Sequence, residues 1–265
     1  MSVPVSVGIV GGTGMLGSAI ARGLLQGGAV VPDRLWISNR SGGTSGLEAW
    51  TGVNFTVDSR ELADACDVIL LAVPPGLFAD IDIEAADKLV ISVIAGVRID
   101  AIRWRTRARR IVRAMSNPAA DRGLAYSPWY TPDDLSEADR NVVRELFGAC
   151  GATDEVGDED QLDLFTALTG PVPGFVAFYA DCMVDYAIRR GVARDVAERA
   201  IPQLFHASGV LLASSAPSPA EHVQSMIDYA GTTAAGLEEM RRSPLATAIE
   251  SGLDAAYRRA RTIGG

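Results

Sequence analysis

Lysine, histidine and cysteine are scarce in this chain of 265 residues. Of its 24 basic residues only Lys88 is a lysine, and the others are arginines. Schiff-base chemistry and lysine clamps on phosphate therefore have one possible bearer and are nearly excluded. The 2 histidines, His206 and His222, are too few for a histidine-built metal site or a His-centred triad. The 3 cysteines, Cys66, Cys150 and Cys182, are odd in number, far apart and without a CxxC pair. Neither a disulfide framework nor a thiolate metal site is signalled, so no metal is expected. A reducing, cytoplasmic setting fits best.

Hydrophobic runs of membrane length are also missing. The first 21 residues carry no charged side chain, yet they lack the basic start of an export signal and are broken by five glycines. The uncharged stretch from Leu164 to Ala180 contains Pro171, Pro173 and Gly174 and is too short to span. A soluble protein with no membrane partner is expected. Basic charge is in deficit as well: 33 acidic residues leave a net charge of −9, a poor match for a phosphate backbone, so no nucleic-acid partner is expected. The seven arginines between Arg98 and Arg113, interleaved only by Trp104, read as a solvated face.

What is present is an ordinary globular composition, 48% apolar and 22% charged, with room for one large domain or two modest ones. Five short apolar runs read as strands: Val3–Val10, Arg34–Ser38, Asp67–Val73, Lys88–Ala95 and Arg109–Met115. Helical spacing over Met15–Leu25 ends at Gly27 and Gly28, and Gly46–Trp50 and Ser59–Ala65 are helix-compatible. Strands alternating with helices predict a doubly wound parallel sheet over residues 1–160. Beyond it, residues 161–265 read as all-helical, with segments at Gly174–Arg190, Ala193–Ala213, Pro219–Ile227, Thr232–Met240 and Pro244–Thr262. Ser214–Pro219 reads as a loop between helices.

Gly12-Thr13-Gly14-Met15-Leu16-Gly17 is a GxGxxG that follows a predicted strand and opens a helix, the context of a Rossmann dinucleotide site. Gly12 permits the tight turn, Gly14 admits a pyrophosphate, and Gly17 allows close helix–strand packing. An NAD site wants a carboxylate at the end of the second strand, on the ribose 2′-hydroxyl. Here Ser38-Asn39-Arg40-Ser41 offers a guanidinium among hydroxyls instead, which suits a 2′-phosphate and favours NADP.

In order along the chain, "VGIVGGTGMLGSAIARGL", "ISNRS", "DVILLAV", "VISVIAGV", "RAMSNPAA", "FTALTGPVPGFV" and "AGTTAAGLEEM" resemble the pyrroline-5-carboxylate reductases, from Val7 to about Ala260. The resemblance implies an N-terminal Rossmann doubly wound sheet followed by an all-helical dimerisation and substrate-binding domain, assembled as a homodimer or a higher homo-oligomer. It also implies hydride transfer from NADPH to the carbon–nitrogen double bond of a cyclic imine, most readily pyrroline-5-carboxylate, giving L-proline. Ala72, Val73, Pro74, Ala95, Gly96 and Asn117 would join the cofactor site. Substrate would lie at the turn containing Asp228, Gly231, Thr232 and Thr233, where a helix N-terminus suits a carboxylate. Thr233 or a bound water would furnish the proton.

Departures from the family pattern bear on the substrate. Pro74 stands where a Lys is usual, Met115-Ser116-Asn117-Pro118 is one residue short, and the junction reads Thr169-Gly170-Pro171-Val172-Pro173. Asp228 and Tyr229 replace a Ser and a Pro before the carboxylate-binding turn. A carboxylate about 4 Å from the substrate's own would cost on the order of 4 kcal/mol in a surface-like dielectric. Either Asp228 points away and pyrroline-5-carboxylate is accepted, or the imine is an uncharged or cationic one. Two further readings stand beside these. The Gly11-Gly12-Thr13-Gly14 run is similar to deazaflavin-dependent NADP reductases over the first half of the chain, and a non-catalytic NADP-binding protein could share the fold.

Overall fold

The computed structural model describes residues 5–44 and 46–264. A seven-stranded sheet has the order β3-β2-β1-β4-β5-β6-β8. Its strands are β1 (Val7–Val10), β2 (Leu35–Ser38), β3 (Asn54–Thr56), β4 (Val68–Leu71), β5 (Leu89–Ser92), β6 (Arg110–Ala114) and β8 (Trp129–Tyr130). The first six are parallel, and β8 closes the edge antiparallel to β6. A small second sheet pairs β7 (Ala125–Tyr126) with β9 (Gly151–Ala152).

Helices on both faces explain why β1, β4 and β5 are buried at every position. On one face α1 (Met15–Gln26) and α4 (Glu137–Cys150) set Ile20, Leu24, Val143 and Phe147 against Ile9, Leu70, Ile91 and Val112. On the other, α2 (Ser59–Ala65) and α3 (Ile99–Thr106) set Leu62 and Ile102 against Ile69, Val90 and Ile111. Each fully buried Leu or Ile of this kind contributes about 1.5–3 kcal/mol.

Four of the five predicted strands lie within their apolar runs and shorten by one to four residues. In the first run Val7–Val10 is strand, whereas Val3 and Pro4 lie outside the described residues. Gly46–Trp50 is not helical. Positive φ at Gly46 (79°) and Gly52 (105°) breaks it into turns, and Leu47 plugs the core. The Arg98–Arg113 run is a solvated face only in part: Arg98, Arg107 and Arg109 are exposed, yet four of the seven arginines are paired with acids. Arg98 pairs with Glu159 (3.1 Å) and Asp160 (2.6 Å), Arg103 with Asp133 (2.5 Å) and Arg110 with Asp139 (2.6 Å). Arg113 is 2% exposed and pairs with Asp163 and Glu159. Acidic partners distant in sequence consume these charges, which no local reading of the run reveals.

The chain divides into two compact units, one of residues 1–171 with 255–265 and one of residues 172–254. The break comes later than the composition change at 160. The reason is α5 (Asp160–Leu168), whose Asp163 holds Arg113 of β6. The carbonyl of Thr169 likewise accepts the Asn117 carboxamide at 3.0 Å. Residues Ala255–Gly265 return to the first unit, where Gly264 meets Gly96.

The second unit contains α6 (Gly174–Arg189), α7 (Arg194–Ser214), α8 (Pro219–Asp228), α9 (Thr232–Arg242) and most of α10 (Leu245–Ala260), close to the helices expected from the sequence. Between 172 and 254 only Val184, Ala197 and Ala234 are buried among apolar side chains, while Phe178, Val210, Leu211 and Ile249 are exposed. Such a layer has little core of its own. Among the described residues no helix is long and apolar enough to cross a membrane.

Candidate functional site

β1 pairs with β2 on one side and β4 on the other, so the strand order reverses at β1. In an open parallel sheet this reversal leaves a crevice at the carboxyl ends, the usual place for a ligand. A cavity of about 530 Å³ lies there, where β1 gives way to Gly11, β2 ends at Ser38 and the chain runs on from β4 to Val73 and Pro74.

The glycine turn is built in steps. Gly11 has φ +83° and donates its N–H to the Ser38 carbonyl at 2.9 Å, and Gly14 donates to Gly11 at 3.0 Å. A Cβ on Gly17 would stand 2.4 Å from the Gly11 carbonyl oxygen, so this glycine lets the helix pack close to the strand end. Gly12 lies inside the tight turn that the Gly14 N–H closes on the Gly11 carbonyl, and the left-handed residue of that turn is Gly11. A Cβ on Gly12 would lie 2.8 Å from Ile37 Cδ1, so a side chain there would have to displace Ile37. Helix α1 starts at Gly14 with no side-chain cap and no acidic residue in its first turn. Its first N–H groups and dipole are open to an anion. Thr13 and Gly14 line the cavity, whereas Met15, Leu16 and Gly17 shape the helix behind it.

Ser38, Asn39, Arg40 and Ser41 all line the cavity. The Asn39 carboxamide organises this loop. Its Oδ1 accepts from the N–H (3.1 Å) and hydroxyl (3.0 Å) of Ser41 and from the Gly43 N–H (3.2 Å). Arg40 is exposed and makes no ion pair among the described residues. Sequence reasoning missed Val57, Ser59, Leu77, Asp80 and Ile81, which also line the cavity. Ser59 reaches it because Thr56 of β3 lies beside Ser38, and the Ser38 and Ser59 hydroxyls meet at 3.1 Å. The strand that brings it there is only three residues long, so its sequence signal is weak.

Val73 and Pro74 line the cavity, and Ala72 is tied to β1 by its N–H to the Val10 carbonyl (2.9 Å). Ala95, Gly96 and Asn117 do not line it. A Cβ on Gly96 (φ +74°) would meet Gly264 N at 2.6 Å, so this glycine accommodates the end of the chain. The Asn117 carboxamide caps its own turn through Ala119 N–H (3.0 Å) while holding Thr169. Burial pushes the Cys66 and Cys150 thiols up to about 12, so neither is a nucleophile. Among the described residues no group of His, Cys, Asp and Glu is placed to hold a metal.

In the helical unit Asp228 ends α8, and Tyr229, Ala230 (φ +57°) and Gly231 turn the chain into α9. Gly231 caps α9 without a side-chain hydrogen bond, no acid sits in its first turn, and Thr232 and Thr233 are exposed. Asp228 Oδ1 accepts from Gln224 Nε2 at 2.8 Å, one turn back along its own helix.

Residues 159–263 match the family model for pyrroline-5-carboxylate reductase dimerisation, and residues 6–96 match that for NADP oxidoreductase, coenzyme F420-dependent. The pyrroline-5-carboxylate reductase of Synechocystis sp. is 28% identical over 98% of both chains. That of Coxiella burnetii has a solved structure with a TM-score of 0.86 and 26% identity, covering 99% of this chain and all (100%) of the other. The Plasmodium falciparum pyrroline carboxylate reductase, solved with NADP bound, has the same fold (TM-score 0.81, 22% identity, 100% of each chain). The helical half matches the dimerisation module of the pyrroline-5-carboxylate reductases, the sheet has a nucleotide-binding architecture, and full-length likeness joins the two: over its whole length the chain is similar to the pyrroline-5-carboxylate reductases.

Proposed function

We propose that the chain reduces the carbon–nitrogen double bond of pyrroline-5-carboxylate to L-proline at the expense of NADPH. The observation that carries this reading is a pair of uncapped, acid-free helix starts, at Gly14 in the first unit and Gly231 in the second. One suits a pyrophosphate and the other a substrate carboxylate.

The cleft fits NADPH. Its glycine turn admits no side chain at Gly17, and Arg40 stands beside the Ser41 hydroxyl without an ion-pair partner among the described residues. The pyrophosphate would lie on the turn from Thr13 to Gly14 and the 2′-phosphate on Arg40 and Ser41. Val73 and Pro74 would wall the cleft after β4. When bound, NADPH supplies the hydride. The chain's share is to bind, orient and exclude water. Thr232 would offer its N–H and Thr233 its hydroxyl to the substrate carboxylate, with Gly231 keeping the helix start open. Thr233, or a water it holds, would deliver the proton to nitrogen. The hydrogen bond that turns Asp228 toward Gln224 supports a carboxylate-bearing substrate over an uncharged or cationic imine.

Labour divides between a nucleotide-binding unit and a helical unit that pairs with a second copy, as a homodimer or larger. Exposed apolar helix faces support this, and light scattering tests it. Free thiols support a cytoplasmic setting. The function itself is tested by following nicotinamide absorbance with pyrroline-5-carboxylate and with an uncharged cyclic imine. Rapid NADPH oxidation with proline as product is expected. Tight NADPH binding without turnover of either imine overturns it.

A further inference from the structure

We propose that Asp80 reads the adenine base of the dinucleotide, accepting a hydrogen bond from its 6-amino group. This rests on the NADPH reading above. Asp80 is a carboxylate in the wall of a cleft otherwise suited to an anion. Phosphate would be repelled by it, and the end of the cleft near Arg40 and Ser41 already offers the guanidinium and hydroxyl a 2′-phosphate needs. An adenine base carries at its edge the donor such a carboxylate wants, and presents a flat face that apolar side chains accept.

Both requirements meet around Asp80. Val57, Leu77 and Ile81 line the same cavity, and Val57 is 68% exposed, an apolar surface awaiting a cover. The carboxylate is also held in place. It ends the 3₁₀ turn Pro75–Asp80, and Arg105 of α3 binds the carbonyl oxygens of Ala79 and Ile81, on either side of it. Asp82, two residues on, is neutralised by Arg60. Asp80 has no hydrogen-bond or ion-pair partner among the described residues, so its acceptor oxygens are free for a ligand. A backbone clamped by one guanidinium thus presents an unneutralised carboxylate beside an apolar slot.

Hypoxanthine has a carbonyl oxygen where adenine has the amine, so a carboxylate that binds one repels the other. The test measures calorimetric dissociation constants for NADP⁺ and for its hypoxanthine analogue, with wild type, Asp80→Ala and Asp80→Asn. Removing a negative charge tightens both dinucleotides alike, so only their ratio reports on the base. Wild type should prefer NADP⁺ by about tenfold, the worth of one charge-assisted hydrogen bond at an exposed site. Asp80→Ala should bring the ratio near one. Asp80→Asn, whose amide can donate to the carbonyl, should bring it to one or below. Equal binding of the two by wild type overturns the role of Asp80 and leaves the NADPH reading standing. A ratio unchanged in Asp80→Ala also overturns it. Failure of wild type to bind either dinucleotide overturns both.

Discussion

The carbonyl oxygen of Gly11 lies where only a hydrogen can face it from Gly17: a Cβ there would stand 2.4 Å away. Backbone, rather than a side chain that could swing aside, is the obstacle. Gly17→Ala should therefore push α1 off the sheet, costing about 1–3 kcal/mol by overpacking. Denaturant midpoints would register that loss, and the Kd for NADP⁺ should rise at least about tenfold, because the same helix start would form the proposed cradle. Unchanged affinity in a stably folded Gly17→Ala protein would contradict this.

Arg40 stands in the cleft wall without an ion-pair partner among the described residues. On the proposed NADPH reading, Arg40→Asp would exchange a phosphate ligand for a hydroxyl ligand. The ratio of kcat/KM for NADPH to that for NADH should fall by about 10²-fold, from loss of a charge-assisted contact and gain of repulsion.

At the start of α9, Thr233→Val keeps the shape and removes the hydroxyl. We expect kcat/KM for pyrroline-5-carboxylate to fall by about 10²-fold, with Thr233→Ser restoring most of it. Asp228→Ser should leave that parameter within about twofold, since the carboxylate is turned along its own helix. A large gain in the serine variant would mean that Asp228 repels the substrate.

Asp163 is tested by Asp163→Asn, which strips the buried Arg113 of a counter-charge. Because Glu159 still faces Arg113 at 3.1 Å, losing the Asp163 charge costs about 1.5–3 kcal/mol, the worth of a hydrogen bond to a charged group, readable as a lower unfolding midpoint. Asp163→Asn paired with Arg113→Met should recover part of it, because the buried guanidinium is then gone and Glu159 keeps Arg98 as its partner.

Asp67 gives the fold an acid-sensitive clip between β1 and β4. The N–H and hydroxyl of Ser6 both donate to its carboxylate, at 2.9 and 2.8 Å, and hold its pKa below the ordinary value. A depressed folded pKa stabilises the fold above the unfolded carboxylate's value near 4, and that contribution is lost as pH falls through the folded one. The melting-temperature advantage of wild type over Asp67→Asn should thus be full at neutral pH and vanish in strong acid.

Local structure was readable from sequence where it is written in consecutive residues. Gly12–Gly17, Ser38–Ser41 and the helical spacing after Gly174 each led to the right element. What escaped depends on pairing across the chain. Ser59 and Asp80 enter the cleft only because β3 lies beside β2 and because Arg105 pins a turn remote in sequence. Arg113 resembles its exposed neighbours until Asp163, fifty residues on, is brought to it. That Gly11 rather than Gly12 is the left-handed residue of the turn is a matter of one φ angle, invisible in a run of two glycines.

The helices between 172 and 254 bury almost nothing within a single copy. A unit in that condition borrows its solvent exclusion from association, and its ordering becomes a mass-action quantity. Specific activity should then fall on dilution and return on concentration, with the melting temperature following protein concentration in the same sense. The amount of this protein in a cell would itself set how much of it can work.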